Sequence, residues 1–300
     1  MIPAELSSRR IVWAEEVPLA ERTTLRIGGS ARFFAEVEDV AALRALLTWA
    51  GAENLPLLPL GKGSNVLIPD EGFSGVAFVL AGDFRKVEIH GTRILAGAGA
   101  SLMSLAVLAG QAELTGLEGL SGIPSSVGGA VRINAGAYGS EIFDLLVSVG
   151  LVTRTGEARE LPAAQIAHGY RWTALMQSKD LIASATLRLR QANRVTVHAR
   201  MEEVAEKRKK ALPGGPNAGS IFKNPAGDYA GRLLEACGMK GRRIGGAQVS
   251  PNHANVIVNL GGARASDVRA LMAEMHRAVK DRFGIDLVPE IEVLPSPSVE

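Results

Sequence analysis

The chain has 300 residues, 47% of them hydrophobic, with 33 Lys and Arg against 31 Asp and Glu. That length calls for two or three domains, and that composition for ordinary globular cores. A formal net charge of +2 argues against a general nucleic-acid binder, and Cys237, alone, excludes an intrachain disulfide or a cysteine-rich zinc site.

The opening stretch, MIPAELSSRRIVWAEEVPLA, holds no apolar core of the signal-peptide kind. No apolar run reaches the roughly 18 residues of a membrane span, so the sequence predicts a soluble, cytoplasmic protein. Glu21–Ala31 places the turn formers Gly28 and Gly29 after a short β-prone piece. Ala41–Ala50 has the leucine spacing of an amphipathic helix started near Asp39. In Leu55–Leu80 two short apolar runs flank Gly61-Lys62-Gly63-Ser64-Asn65, which predicts a loop between strands or between strand and turn. Arg85–Ala96 reads as a hairpin about Gly91-Thr92, and Ser101–Ala112 as a helix with a serine at its start.

Ser121–Gly139, SGIPSSVGGAVRINAGAYG, is glycine-rich and almost uncharged. Glycine lets main chain approach a ligand closely, and successive N–H groups in such a turn form an anion site. Ile123, Val127, Val131 and Ile133 interrupt the glycines, which argues against a flexible linker. Two readings stand: tight turns in a buried crossover, or a main-chain cradle for a large phosphate-bearing cofactor. With Gly61–Asn65 as a second donor-rich loop, one extended dinucleotide held by both is the more economical account.

Beyond it, Leu145–Thr153 and Glu157–Leu161 predict a hairpin about Thr155-Gly156, and Leu181–Arg190 alternates as a half-buried strand. A charged helix, Val197–Leu212, ends at Pro213-Gly214-Gly215-Pro216, and a domain boundary falls near 191–194. A short helix at Tyr229–Cys237, a strand at Asn255–Asn259, a long helix at Ser266–Phe283 and a last strand over Asp286–Leu294 follow. Alternation on that strand would put Glu290 and Glu292 on one face. The pattern is α+β rather than a regular parallel array.

Several familiar motifs are absent. Lys62 is followed by Gly63, not by the Ser or Thr of a nucleotide-hydrolase phosphate loop. Gly97–Leu102 lacks the last glycine of a dinucleotide fingerprint. There is no G-x-S-x-G elbow, and the five histidines have no metal-ligand spacing, so no catalytic metal is expected. Ala218–Pro225 (AGSIFKNP) offers Ser220 as a turn or cap residue, or as a proton donor beside anion-binding groups. Glu290 reads locally as part of a solvated face, and Arg171, between Tyr170 and Trp172, as a surface stack.

In this order the clusters resemble the UDP-N-acetylenolpyruvoylglucosamine reductases, flavoenzymes of peptidoglycan synthesis. The matching pieces are Thr23–Gly29, Leu60–Asn65, Gly122–Gly139, Tyr170-Arg171, Ala218–Pro225, Gly245–Asn259 and Pro289–Ile291, which span nearly the whole chain. The chain is short between Gly227 and Ala247, as in the compact subclass lacking an added substrate-covering loop. It departs from the family pattern at Ser125, where glycine is usual, at Lys210–Pro213, where Gln-Pro is common, and at Trp172–Ala174.

The resemblance implies an FAD-binding domain of the vanillyl-alcohol-oxidase type plus a C-terminal α+β substrate domain. It places one FAD-binding subdomain at residues 1–54, completed by 286–300, a second at 55–191, and the substrate domain at 192–285. It implies FAD, NADPH as reductant and a UDP-sugar enolpyruvyl ether as substrate. The glycine loops hold no His or Cys, which favours non-covalent FAD, and charge and the lack of a long apolar run point to neither nucleic acid nor membrane as partner. The oligomeric state is open, with a monomer expected. The family's cofactor residues map to Leu60, Gly61, Lys62, Gly63, Ser64, Asn65, Gly122, Ile123, Pro124, Ser126, Gly128, Gly129, Asn134 and Gly136. Its substrate contacts map to Tyr170, Lys223, Asn224, Arg232, Gln248 and His253. Ser220 becomes the proton donor, with Arg171 and Glu290 stabilising charge at the substrate carboxylate. Two rivals stay open: another non-covalent FAD oxidoreductase of the same fold, and a non-catalytic nucleotide-sugar binding protein.

Overall fold

The computed structural model describes Leu6 and residues 10–295. By compactness it divides into two units: one formed by 1–15, 33–62 and 75–207, the other by 16–32, 63–74 and 208–300.

The first unit carries two larger sheets besides three two-stranded pairs. In one, the order is β1 (Ile11–Pro18), β2 (Ser30–Val37), β4 (Phe73–Leu80), β3 (Leu57–Pro59), with β3 and β4 parallel. Helix α1 (Val40–Ala52) packs Leu43, Leu46 and Leu47 into the same core as Phe33 and Phe78. Asp39 starts it, its carboxylate accepting from the Ala42 N–H at 2.7 Å, which satisfies an end amide the helix cannot pair itself.

The other sheet is antiparallel, with β8 (Ala158–Pro162) and β5 (Val87–His90) at its edges. Between them run β7 (Leu146–Val152), β9 (Leu181–Arg188) and β6 (Arg93–Gly97). Both expected hairpins are present, His90 pairing with Arg93 and Val152 with Ala158. Helix α2 (Leu102–Gln111), capped by Ser101, and the six-residue α3 (Val127–Arg132) share its core of Ile94, Leu105, Val131 and Val149. The chain leaves this unit within α4 (Arg194–Ala211).

The second unit holds the four-stranded sheet β10 (Asn217–Ser220), β13 (Val256–Asn259), β12 (Ala247–Val249), β11 (Arg243–Ile244), with α5 (Ala230–Ala236) and α6 (Ala265–Phe283). Gly284, left-handed at φ 69°, ends α6. Leu25, Ile27 and Leu67 are buried in the same core as Phe222, Leu233 and Leu271. Compactness therefore groups 16–32 and 63–74 with the C-terminal third, in contrast to the divisions expected at 54/55 and 191/192.

The last strand is shorter than expected. Only β14 (Glu292–Val293) is regular, paired in parallel with Val66 and Leu67. Pro289 has no N–H for a ladder, and bends at Glu290 and Ile291 break the alternation that would have set Glu290 and Glu292 on one face. The segment instead bridges the turn after Ser220, through Phe222 and Pro289.

Candidate active site

In the first unit, Leu60, Gly61 and Lys62 line a groove with Ser126, Gly128 and Gly129. A Cβ at Gly61 would lie 2.6 Å from the Ser126 Oγ, so a glycine there lets the turn close on that serine. Ser126 caps α3, accepting from the Gly129 N–H at 3.2 Å. The next two amides are spent inside the protein: Val127 N–H donates to Ala100 O and Gly128 N–H to Ala98 O, each at 2.9 Å. Ser121–Gly139 is thus less a row of free donors than a turn pinned against 98–100. Gly122, Ile123 and Pro124 are not among the lining residues; Ile123 packs on the core and donates its N–H to Leu120 O. Ser125 is not left-handed, so the backbone there does not require the glycine usual in the family pattern.

Asn134 is fully buried. Its Nδ2 donates to Glu141 Oε2 at 2.7 Å and Gly169 O at 3.0 Å, while its Oδ1 accepts from the Phe143 N–H at 3.3 Å. It ties the loop around Gly136 to the loop that carries Arg171. The Arg171 guanidinium donates to Gly136 O and lies 5.0 Å from the centre of the Tyr170 ring. A Cβ on Gly136 would come within 3.2 Å of Arg171 Nη1 and within 2.7 Å of Ser140 O. Close approach of the Ser140–Glu141 backbone and side chain, with the arginine beside them, is what that glycine permits.

In the second unit, Ser220 ends β10 opposite Val256, just after a bulge at left-handed Gly219 (φ 73°). Among the described residues its hydroxyl has no hydrogen-bond partner. The backbone beyond it is held from both sides. Ile221 N–H donates to Asn255 O and Glu290 N–H to Ile221 O, both at 2.8 Å. Glu290 O accepts in turn from Asn65 Nδ2 at 3.1 Å. Ser220 and Glu290 are therefore carried by adjacent, mutually bonded segments of chain. Gly63 fits against Arg22 and Thr23 and accepts from the Thr24 N–H at 3.0 Å, while half-buried Ser64 sits between them.

Comparison with known proteins decides what this arrangement belongs to. Residues 208–294 match the family model for the C-terminal domain of UDP-N-acetylenolpyruvoylglucosamine reductase, and residues 31–162 that of an FAD-binding domain. A reductase of that name from Symbiobacterium thermophilum is 41% identical over 92% of this chain and 90% of its own. One from Chloroflexus aurantiacus is 38% identical over 92% and 96%. The chain belongs to the UDP-N-acetylenolpyruvoylglucosamine reductase family. The crystal structure of the reductase from Thermus caldophilus superposes with a TM-score of 0.82 at 37% identity, covering 95% of this chain and 99% of that one. The fold class is the expected one, α+β with an FAD-binding domain and a C-terminal reductase domain.

The groove suits the cofactor of this reductase family. It combines apolar Leu60, Phe78, Leu181 and Ile182 with Lys62 and Arg85, two exposed cations without a carboxylate partner among the described residues. A second cleft shares Lys62, Arg85 and Gly99 and continues along Ser101 and Ser104. An apolar slot joined to a basic, hydroxyl-bearing extension matches a molecule with a flat ring at one end and a pyrophosphate in its middle. Arg85 had no signal in the sequence, being one basic residue ahead of a hairpin.

The substrate candidates divide by how their side chains are engaged. Asn224 Oδ1 accepts from the Ala230 N–H at 3.0 Å and so starts α5. Arg232 is bidentate to Asp228, whose pKa falls to about 2 through that hydrogen bond and the Tyr229 N–H. Gln248 donates to Gly241 O at 3.2 Å. His253 accepts at Nδ1 from the Asn255 N–H, and burial holds its pKa below the ordinary histidine value. Lys223 donates its N–H to Val288 O, and Tyr170 is half exposed. Asn255, missed in the sequence, is the residue on which the Ser220 turn is built. Its only signal was a polar side chain opening an otherwise apolar strand.

No helix of the described residues is long and apolar enough to cross a membrane, and no group of three or more His, Cys, Asp and Glu among them is placed to hold a metal.

Proposed function

We propose that the protein reduces UDP-N-acetylglucosamine enolpyruvate to UDP-N-acetylmuramate with NADPH, a step of peptidoglycan synthesis. The observation that carries this reading is the unpartnered Ser220 hydroxyl, fixed on a bulge beside Glu290, in a chain of this family. FAD, when bound, would supply the hydride chemistry that links NADPH to the enolpyruvyl double bond. Lys62 and Arg85, with the turn at Leu60–Gly61 and Ser126–Gly129, would hold it.

The protein's own task is the charge left at the carbon beside the carboxylate. Arg171 offers a planar fork of donors that matches a carboxylate, and its bond to Gly136 O restricts where that fork can point. Glu290 assists in its protonated form, which the neighbouring substrate carboxylate favours. Ser220 gives its hydroxyl proton to the carbanion-like carbon, completing C–H bond formation, and recovers one from solvent. A serine hydroxyl is a weak acid, but that carbon is basic enough to take the proton. Lys223 and Asn224, next to Ser220, and Tyr170 are assigned to the substrate, with Arg232, Gln248 and His253 as outer contacts. The enzyme is taken to work as a monomer in the cytoplasm, where its soluble nucleotide substrates are made.

Anaerobic rapid mixing tests the assignment. Ser220→Ala should be reduced by NADPH at the native rate and reoxidised by substrate about 10²–10³-fold more slowly. Unimpaired reoxidation would remove Ser220 from the role. A purified protein without flavin absorbance, able to bind the nucleotide sugar, would favour the non-catalytic alternative instead.

A further inference from the structure

Asn255 bonds both backbone groups of Phe222 through its side chain. Its Oδ1 accepts from the Phe222 N–H at 3.0 Å, and its Nδ2 donates to Phe222 O at 2.8 Å. Its own carbonyl accepts from the Ile221 N–H at 2.8 Å. One buried residue, 2% exposed, thus holds three of the four backbone polar groups of Ile221 and Phe222, the fourth, Ile221 O, accepting from Glu290. Ile221 and Phe222 are themselves 0% and 2% exposed, so the held stretch is a rigid plug in the core.

Ser220 stands between that plug and a break. On its N-terminal side the ladder to β13 is interrupted by the bulge at Gly219, where a Cβ would meet nothing within 4 Å. A bulge re-aims the next side chain but leaves its strand locally unpaired. Within the bulge the Gly219 N–H is held by Asn217 Oδ1 at 2.9 Å, and from the C-terminal side the anchored Ile221–Phe222 peptides constrain the Ser220 hydroxyl. The same plug sets the returning chain, since Glu290 N–H is bonded to Ile221 O. We propose that Asn255 is a positioning residue for catalysis: its amide fixes the Ser220 hydroxyl, and through Ile221 its spacing from Glu290, in the geometry proton transfer needs. This rests on Ser220 as the proton donor.

The amide is suited to the task because it presents one acceptor and one donor in a plane, matching the N–H and C=O of a single residue. An isosteric carboxylate keeps the acceptor, loses the donor and sets a negative oxygen against Phe222 O. Small displacements of a reacting group are costly, about 10²-fold for about 1 Å.

The test uses the FAD-loaded enzyme and Asn255→Asp. Reoxidation by substrate should slow about 10- to 100-fold, with a larger solvent deuterium isotope effect. Reduction by NADPH, which does not need the Ser220 proton, should stay within about twofold. Hydrogen exchange at the Phe222 amide, read without substrate or turnover, should become faster. A parallel fall of both half-reactions, or reoxidation at the native rate, overturns the proposal. If Asn255→Asp does not fold, Asn255→Ser carries the same comparison, and failure of both to fold overturns it in favour of a purely structural residue. The Ser220→Ala control separates the two readings. Native reoxidation there means that the proton-donor assignment is wrong, whatever the exchange at Phe222 shows.

Discussion

Arg171 sits in the left-handed region at φ 51°, as do Asn134 (48°) and Tyr138 (52°) on the loop around Gly136. A non-glycine residue there carries strain of about 1–2 kcal/mol, and such strain clusters where a side chain must be held in one place for function. The hydrogen bonds of Asn134 and the Arg171–Gly136 contact are what sustain it. A pair of variants separates the backbone from the side chain. Arg171→Ala and Arg171→Gly both delete the guanidinium, and both should lose nearly all turnover. Glycine relieves the strain but costs about 0.4–1 kcal/mol through its freer unfolded chain. Since the strain is the larger effect, Arg171→Gly should be the more stable of the two by roughly 0.5–1 kcal/mol. Urea unfolding monitored by fluorescence reads the order directly, and a more stable alanine variant would show that the loop relaxes without strain.

At the scale of the element, caps and turns set where the secondary structure begins and ends. Helix α6 illustrates it, because its first amides are satisfied from a distant loop. Asp70 accepts from the Ala265 N–H at 2.6 Å, the Ser266 N–H at 3.0 Å and the Ser266 hydroxyl at 2.8 Å. Partial burial pushes the Asp70 pKa up, but these three bonds and Arg264 outweigh it and leave the value below the ordinary 3.8. A carboxylate depressed in the folded state stabilises above its unfolded pKa, and the gain is lost as pH falls through the folded value. Asp70→Ala should therefore cost about 1 kcal/mol near neutral pH, and its denaturation midpoint should approach that of the native protein below pH 3.8. A constant gap across that range would assign the loss to packing. Caps of this remote kind were invisible in the sequence, whereas Asp39 and Ser101, next to the helices they start, were legible, as were the hairpins at Gly91-Thr92 and Thr155-Gly156. The same limit explains the last strand and the glycine stretch. Alternation over 286–294 said nothing of the pairing of Pro289 with Phe222, and glycine content over 121–139 could not reveal that the amides of Val127 and Gly128 are consumed by Ala98 and Ala100. Of the candidate site, the motifs offer residue types to propose; the bonds made by Asn255, Asn65 and Asn134 have no sequence signal, since a buried amide looks like any other polar residue until its partners fold around it.

For the molecule as a whole, the decisive feature is that the second unit is not a contiguous stretch of chain. The family model for its C-terminal domain covers 208–294, yet the core of that unit includes Leu25, Ile27 and Leu67, at 0%, 3% and 0% exposure. Polar bonds reinforce the dependence. Asn259 Nδ2 donates to Leu25 O and Arg26 O, Thr24 Oγ1 to Asn217 O at 2.7 Å, and Asp70 caps α6. Burying an aliphatic side chain contributes about 1.5–3 kcal/mol, so the three together are worth roughly 5–9 kcal/mol. The whole stability of an ordinary domain is about 5–15 kcal/mol. A fragment comprising 208–300 alone would lose most or all of its margin and expose the apolar surface those side chains cover. It should show helix by far-ultraviolet circular dichroism but no cooperative thermal transition and no fixed aromatic environment. Addition of residues 63–74 by themselves should not restore one, because Leu25 and Ile27 would still be missing. A sharp unfolding transition in the 208–300 fragment would mean that its core closes without these segments, and that the N-terminal insertions serve the site rather than the fold.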